Sequence, residues 1–152
     1  MNDDDAPLER YRRPDGLDDA TVEALGKLSE ALEVIEHARG HLYAFHRLTG
    51  KADFALGDAA ALLRQAGHHE LAEQVEQELV GRNVIEGRWT FQIVDEYDET
   101  YYGPCKELER QAREKLADGR KHLFEAEMKE DRRTHGLKHH EATPPSLRDL
   151  DS

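Results

Sequence analysis

The chain holds one cysteine, Cys105, in 152 residues, so no disulfide can form within it. No apolar run approaches the roughly 18 residues that a bilayer span requires. Positive charge is scarce: 21 Lys and Arg stand against 33 Asp and Glu, for a formal net charge of −12. That balance repels phosphate backbones and anionic headgroups, and no Lys/Arg run with interleaved aromatics offsets it. Neither nucleic acid nor a membrane is therefore expected as a partner. The N-terminal MNDDDAPLERYRR lacks the apolar stretch of a secretory signal, and a cytoplasmic protein is the expectation. Also missing are a P-loop, a Gly-rich dinucleotide fingerprint, a Cys-x-x-Cys pair and a nucleophile elbow. With no catalytic signature and no Glu-x-x-His for a metal-binding bundle, the balance leans against an enzyme without deciding it, and no cofactor or metal site is expected.

Aromatic residues are few, 7% of the chain, and they are unevenly placed. Gly81–Gly103 holds Trp89, Tyr97, Tyr101 and Tyr102 together with Glu86, Asp95, Glu96, Asp98 and Glu99. Large rings beside carboxylates suit a ligand pocket or a partner surface, and equally a tight helix junction. Wound as a helix, this segment points apolar groups in nearly every direction. As a strand, Trp89–Ile93 alternates, and Glu86-Gly87 could turn a hairpin. Helix is favoured, because no other segment offers a strand to pair with.

The remainder reads as helix. Residues 1–17, with Asp3–Asp5, two prolines and Gly16, are expected to form a flexible arm, residues 18–131 a helical domain, and residues 132–152 a disordered tail. Asp18 or Asp19 caps a first helix that is expected to stop at Gly50. A second covers about 52–66, a third begins near His69, and the short link at Gly67 makes these two an antiparallel hairpin. Pro104 suits the first turn of a last helix, which spaces Ala112, Gly119 and Ala126 seven apart for close approach of a neighbour. The expected fold is all-α, an irregular antiparallel bundle of about four main helices.

The first helix carries an apolar seam, Leu25, Leu28, Leu32, Ile35 and Leu42, at the 3-and-4 spacing of bundle packing. At about 100° per residue the same seam passes through Arg39 and His46, flanked by Glu36 and Tyr43. A guanidinium on a core-facing seam requires an acidic partner, and the carboxylates of 95–99 are the nearest by composition. The candidate binding residues are thus Glu36, Arg39, Tyr43 and His46 on one side, and Trp89, Glu96, Tyr97, Asp98 and Tyr101 on the other. His37 and His41 have metal-ligand spacing but point away from the seam, where solvation is the expected role. Cys105 falls on the apolar stripe of the last helix, where a buried inert thiol is expected. The function expected is a non-enzymatic protein-interaction or self-associating module, a homodimer or the holder of a protein partner. Its rival is a ligand- or metal-binding bundle, or an enzyme built on one, with a polar pocket between helix one and the 81–103 segment.

Overall fold

The computed structural model describes residues 5–150; residues 1–4 of the expected arm and 151–152 of the expected tail lie outside the described residues. The fold is all-α, an irregular antiparallel bundle, and the described residues contain no strand beyond an isolated bridge between Ile85 and Arg88. The helices are α1 (Asp19–Gln65), α2 (His69–Glu78), α3 (Thr90–Tyr97), α4 (Gly103–Ala117) and α5 (Leu123–Arg132), with a π turn over Asp98–Tyr102. The chain falls into two compact units: Met1–Glu33 with Cys105–Ser152, and Val34–Pro104.

The expected break at Gly50 is absent, and α1 runs through it for 47 residues. Glycine ends a helix where the chain adopts a left-handed conformation, and Gly50 keeps an ordinary negative φ. A mid-helix glycine costs about 1 kcal/mol against alanine, which a helix already nucleated and Ala-rich beyond residue 51 can absorb. The true stop is Gly67, at φ +88. Its N–H donates to the Arg64 carbonyl at 3.1 Å, and the His68 N–H to that of Leu63 at 2.8 Å, the paired bonds that close a helix end on a glycine.

In the unit Val34–Pro104, α1 and α2 form the antiparallel hairpin expected from the short link. Arg64 grips Glu76 with two nitrogens, and Asp53 accepts the Gly81 N–H at 2.7 Å. Ala60 and Ala72 are fully buried, small residues being what close helix approach needs. The 81–103 segment divides into two kinds of structure. Glu86-Gly87 makes a tight turn, with Gly87 at φ +69 and the Arg88 N–H donating to the Ile85 carbonyl at 3.0 Å. Helix then starts at Thr90, after Gln92 reaches back to accept the Trp89 N–H at 2.9 Å.

α3 passes without interruption into the π turn, where the Gly103 N–H donates to the Asp98 carbonyl five residues back. Only glycine fits there, since a Cβ on Gly103 would stand 2.7 Å from that oxygen. Pro104 follows at once as the second residue of α4, and having no N–H it adds no backbone bond of its own to the winding.

In the other unit, Val22, Leu25, Ala117 and Leu123 form a buried cluster, with Leu17 and Ala112 packed on it. Glu109, only 7% exposed, accepts from Arg113 at 2.7 Å and from the Ser29 hydroxyl at 3.1 Å. Residues 5–17 make specific contacts: Leu8 is buried, Arg13 pairs with Glu127, and Arg120 donates to the Glu9 and Arg12 carbonyls. From the other end of the chain, Arg133 donates to Asp5 at 2.7 Å and to Glu130, and the Thr143 hydroxyl donates to the Ala6 carbonyl.

Candidate functional site

From Leu32 to Leu63, every residue of α1 that is not exposed, apart from Gly57, lies on one ladder of alternating 3- and 4-residue steps. Ile35, Arg39, Leu42 and His46 are successive rungs, so the seam carries the two polar groups inward as its spacing demands.

Arg39 finds a carboxylate in Asp98. Its Nε and one terminal nitrogen reach the two Asp98 oxygens at 2.7 and 2.8 Å, a bidentate pair with both side chains about 30% exposed (29% and 31%). The guanidinium also lies over two rings, 4.8 Å from the centre of Tyr43 and 5.0 Å from that of Tyr102, a favourable placement of a cation on ring faces. The Tyr102 hydroxyl donates to Glu36 at 3.1 Å. The arrangement shifts each titration in the expected sense. Asp98 is held below the usual carboxylate range by the Arg39 hydrogen bonds, and Arg39 is raised by the same bonds. Burial raises the Tyr102 phenol, helped by the Glu36 carboxylate.

His46 meets a hydroxyl. Its Nδ1 lies 2.7 Å from Thr90 Oγ1, and the Tyr43 ring stands edge-on to the imidazole at 6.2 Å. The distance suits a nucleophile and its base. Thr90, however, is only 6% exposed, it opens α3, and no carboxylate orients the His46 ring among the described residues.

The other candidates sit outside this group. Glu96 pairs with Arg88, its second oxygen at 2.9 Å, and that hydrogen bond lowers its titration. Trp89 donates from its indole N–H to the Gly81 carbonyl at 3.2 Å and keeps 43% of its surface exposed. Tyr97 and Tyr101 stack on each other, tilted, at 5.5 Å. Of the nine expected residues, the structure therefore joins Glu36, Arg39, Tyr43, His46 and Asp98, and leaves Trp89, Glu96, Tyr97 and Tyr101 in contacts of their own. Tyr102 and Thr90 complete the group. Tyr102 was legible as one of the segment's rings, whereas nothing in the spacing marked Thr90.

The remaining chemistry-bearing side chains hold few prospects. The Nε2 atoms of His37 and His41 are 3.2 Å apart on an exposed face, and no set of three metal-ligating side chains occurs among the described residues. Cys105 is half-buried. In the unit of residues 1–33 and 105–152, an open cleft of about 210 Å³ is walled by Pro7, Tyr11, His122, Glu125, Ala126 and Lys129. It is smaller than the roughly 300–1,000 Å³ of typical ligand sites, and Lys129 is committed to the Ala142 carbonyl at 2.7 Å. Among the described residues no helix is long and apolar enough to cross a membrane.

No known protein family matches the chain, and neither a curated protein nor a solved structure matches it.

Proposed function

We propose that the chain is a non-enzymatic helical module that works by association, with a second copy of itself as first partner. One observation carries this reading. The unit Val34–Pro104 pairs Arg39 with Asp98, Arg64 with Glu76 and Arg88 with Glu96, and leaves several large apolar side chains uncovered. Val34, Leu48, Phe54 and Leu62 are exposed by 62%, 66%, 78% and 63%. Isolated surface leucines are ordinary, but Leu48 and Leu62 share one face of α1, and repeated apolar exposure along one face supports an interaction surface.

The rival reading, a ligand or metal pocket around Arg39, has less support. A free guanidinium could recruit an anion, but here Asp98 occupies its fork and two tyrosine rings occupy its faces. Sedimentation velocity across a roughly hundredfold concentration range tests the proposal. A mass shifting from one chain toward two is expected. A single-chain mass throughout would sink it, and stoichiometric iron, manganese or zinc in untagged protein would revive the rival.

A further inference from the structure

We infer that α1 docks against α1 of a second copy, antiparallel about a two-fold axis, through a second, mostly apolar ladder on the flank of its covered seam. This rests on the self-association proposed above and specifies its surface. The ladder is Ala38, His41, Phe45, Leu48, Ala52, Ala55, Ala59 and Leu62, again in alternating steps of 3 and 4. Each rung precedes a rung of the covered seam by one residue, so the two ladders lie about 100° apart around the helix. All eight residues are exposed, Phe45 by 44%, Leu48 by 66% and Leu62 by 63%. A sustained 3-4 spacing is the sequence requirement for packing another helix side by side, knob into hole.

The same residues select the occupant and its direction. An isologous contact must be self-complementary. Centred between Asp53 and Phe54, an antiparallel pair sets Ala52 against Ala55 of the second copy, Leu48 against its Ala59, and Phe45 against its Leu62. Small residues then sit at the axis, where the helices can close up, and the bulkier ones fill the ends. Charge agrees with size. On the open flank of this ladder the ionic residues nearest the axis are Lys51 and Asp58, one heptad apart, and neither has a side-chain hydrogen-bond or ion-pair partner among the described residues. The antiparallel arrangement puts Lys51 beside Asp58 of the second copy, and Asp58 beside its Lys51, on the same side of the seam. Sliding one copy by a heptad toward the N-terminus would bring Lys51 against Lys51. A parallel pair would leave Lys51 facing the Leu56 flank. Antiparallel helix dipoles also favour the chosen direction.

The test uses the full chain and a charge swap. Lys51→Glu and Asp58→Lys should each raise the dimer dissociation constant, about three- to tenfold, because each creates two like-charged contacts per dimer. Lys51→Glu combined with Asp58→Lys should restore it to near the original value. Leu48→Glu should raise it by roughly tenfold or more, with the helical circular dichroism signal unchanged because Leu48 is 66% exposed. A dimer indifferent to Leu48→Glu would overturn the inference while leaving self-association standing. So would a dimer weakened by both single substitutions and weakened further by the combination. A wild-type chain that stays monomeric would overturn both.

Discussion

Replacing glycine by alanine should move stability in opposite directions at Gly50 and at Gly103, and the pair tests the helical backbone at two places. Inside a regular helix, alanine is favoured over glycine by about 1 kcal/mol, through the entropy glycine loses on folding. Gly50 is such a site: its φ is negative, and a Cβ there meets nothing within 4 Å. Gly50→Ala should therefore stabilise by about 0.5–1 kcal/mol. Gly103 also has helical angles, φ −57 and ψ −51, so propensity alone predicts the same gain. Its Cβ, however, would lie 2.7 Å from the Asp98 carbonyl oxygen. That oxygen is backbone and accepts the Gly103 N–H, so it cannot swing aside as a side chain would. Relief requires opening the π turn, a strain of the size of core overpacking, about 1–3 kcal/mol. Set against the propensity gain, Gly103→Ala should destabilise by about 1 kcal/mol. Urea titration followed by circular dichroism at matched slope reads both values. If Gly103→Ala stabilised as much as Gly50→Ala, the π turn would not exist in solution. If Gly50→Ala destabilised, α1 would break where its sequence first suggests.

Asp98→Asn should lower stability at neutral pH by about 1 kcal/mol, the upper end for a partly exposed pair, and it should flatten the acid limb of the stability profile. The sign follows from the depressed Asp98 titration. The contribution is present above the unfolded carboxylate value and is lost as pH falls through the folded one. An unchanged acid limb in urea titrations between neutral pH and pH 3 would refute the assignment. Arg133→Met should release the N-terminal segment, because Arg133 holds the Asp5 carboxylate and carbonyl together with Glu130. Limited proteolysis should then cut within residues 5–17 several-fold faster than in the unaltered chain, and equal rates would show that the Arg133 contacts do not hold it.

How much could be read from residues alone varies with the kind of order involved. The covered seam of α1 was legible, since periodicity is a local property, and it carried Arg39 and His46 inward with it. That Arg39 needs a carboxylate was legible too, from the cost of burying an unpaired charge. Which carboxylate it takes was not. Four stand within residues 95–99, and the π turn that follows at Asp98 sets how the end of this segment winds. Glu96, an equal candidate by composition, goes instead to Arg88, a partner set by the turn at Glu86-Gly87. His46 takes a hydroxyl, Thr90, for which no charge argument could search. The 81–103 segment resisted a single reading because it contains a turn, a helix and a π turn in succession, each with its own period. Gly50 misled because glycine marks a helix end only when the chain turns left-handed, a fact held in φ rather than in the residue's name.

Gly40, Gly50 and Gly57 lie within α1, and a Cβ on any of them would meet no neighbouring atom. Along this stretch the helix is clad on its seam side and bare at Gly40 and Gly50, with Gly57 half-buried. Curvature in a helix comes from lengthened carbonyl hydrogen bonds on its wet side, and glycine there removes the side chains that would resist it. The middle of α1 should consequently be its most pliant part, with amide exchange faster over residues 47–57 than over 25–39. Its length then does not make it a strut: α1 has a spring at its centre.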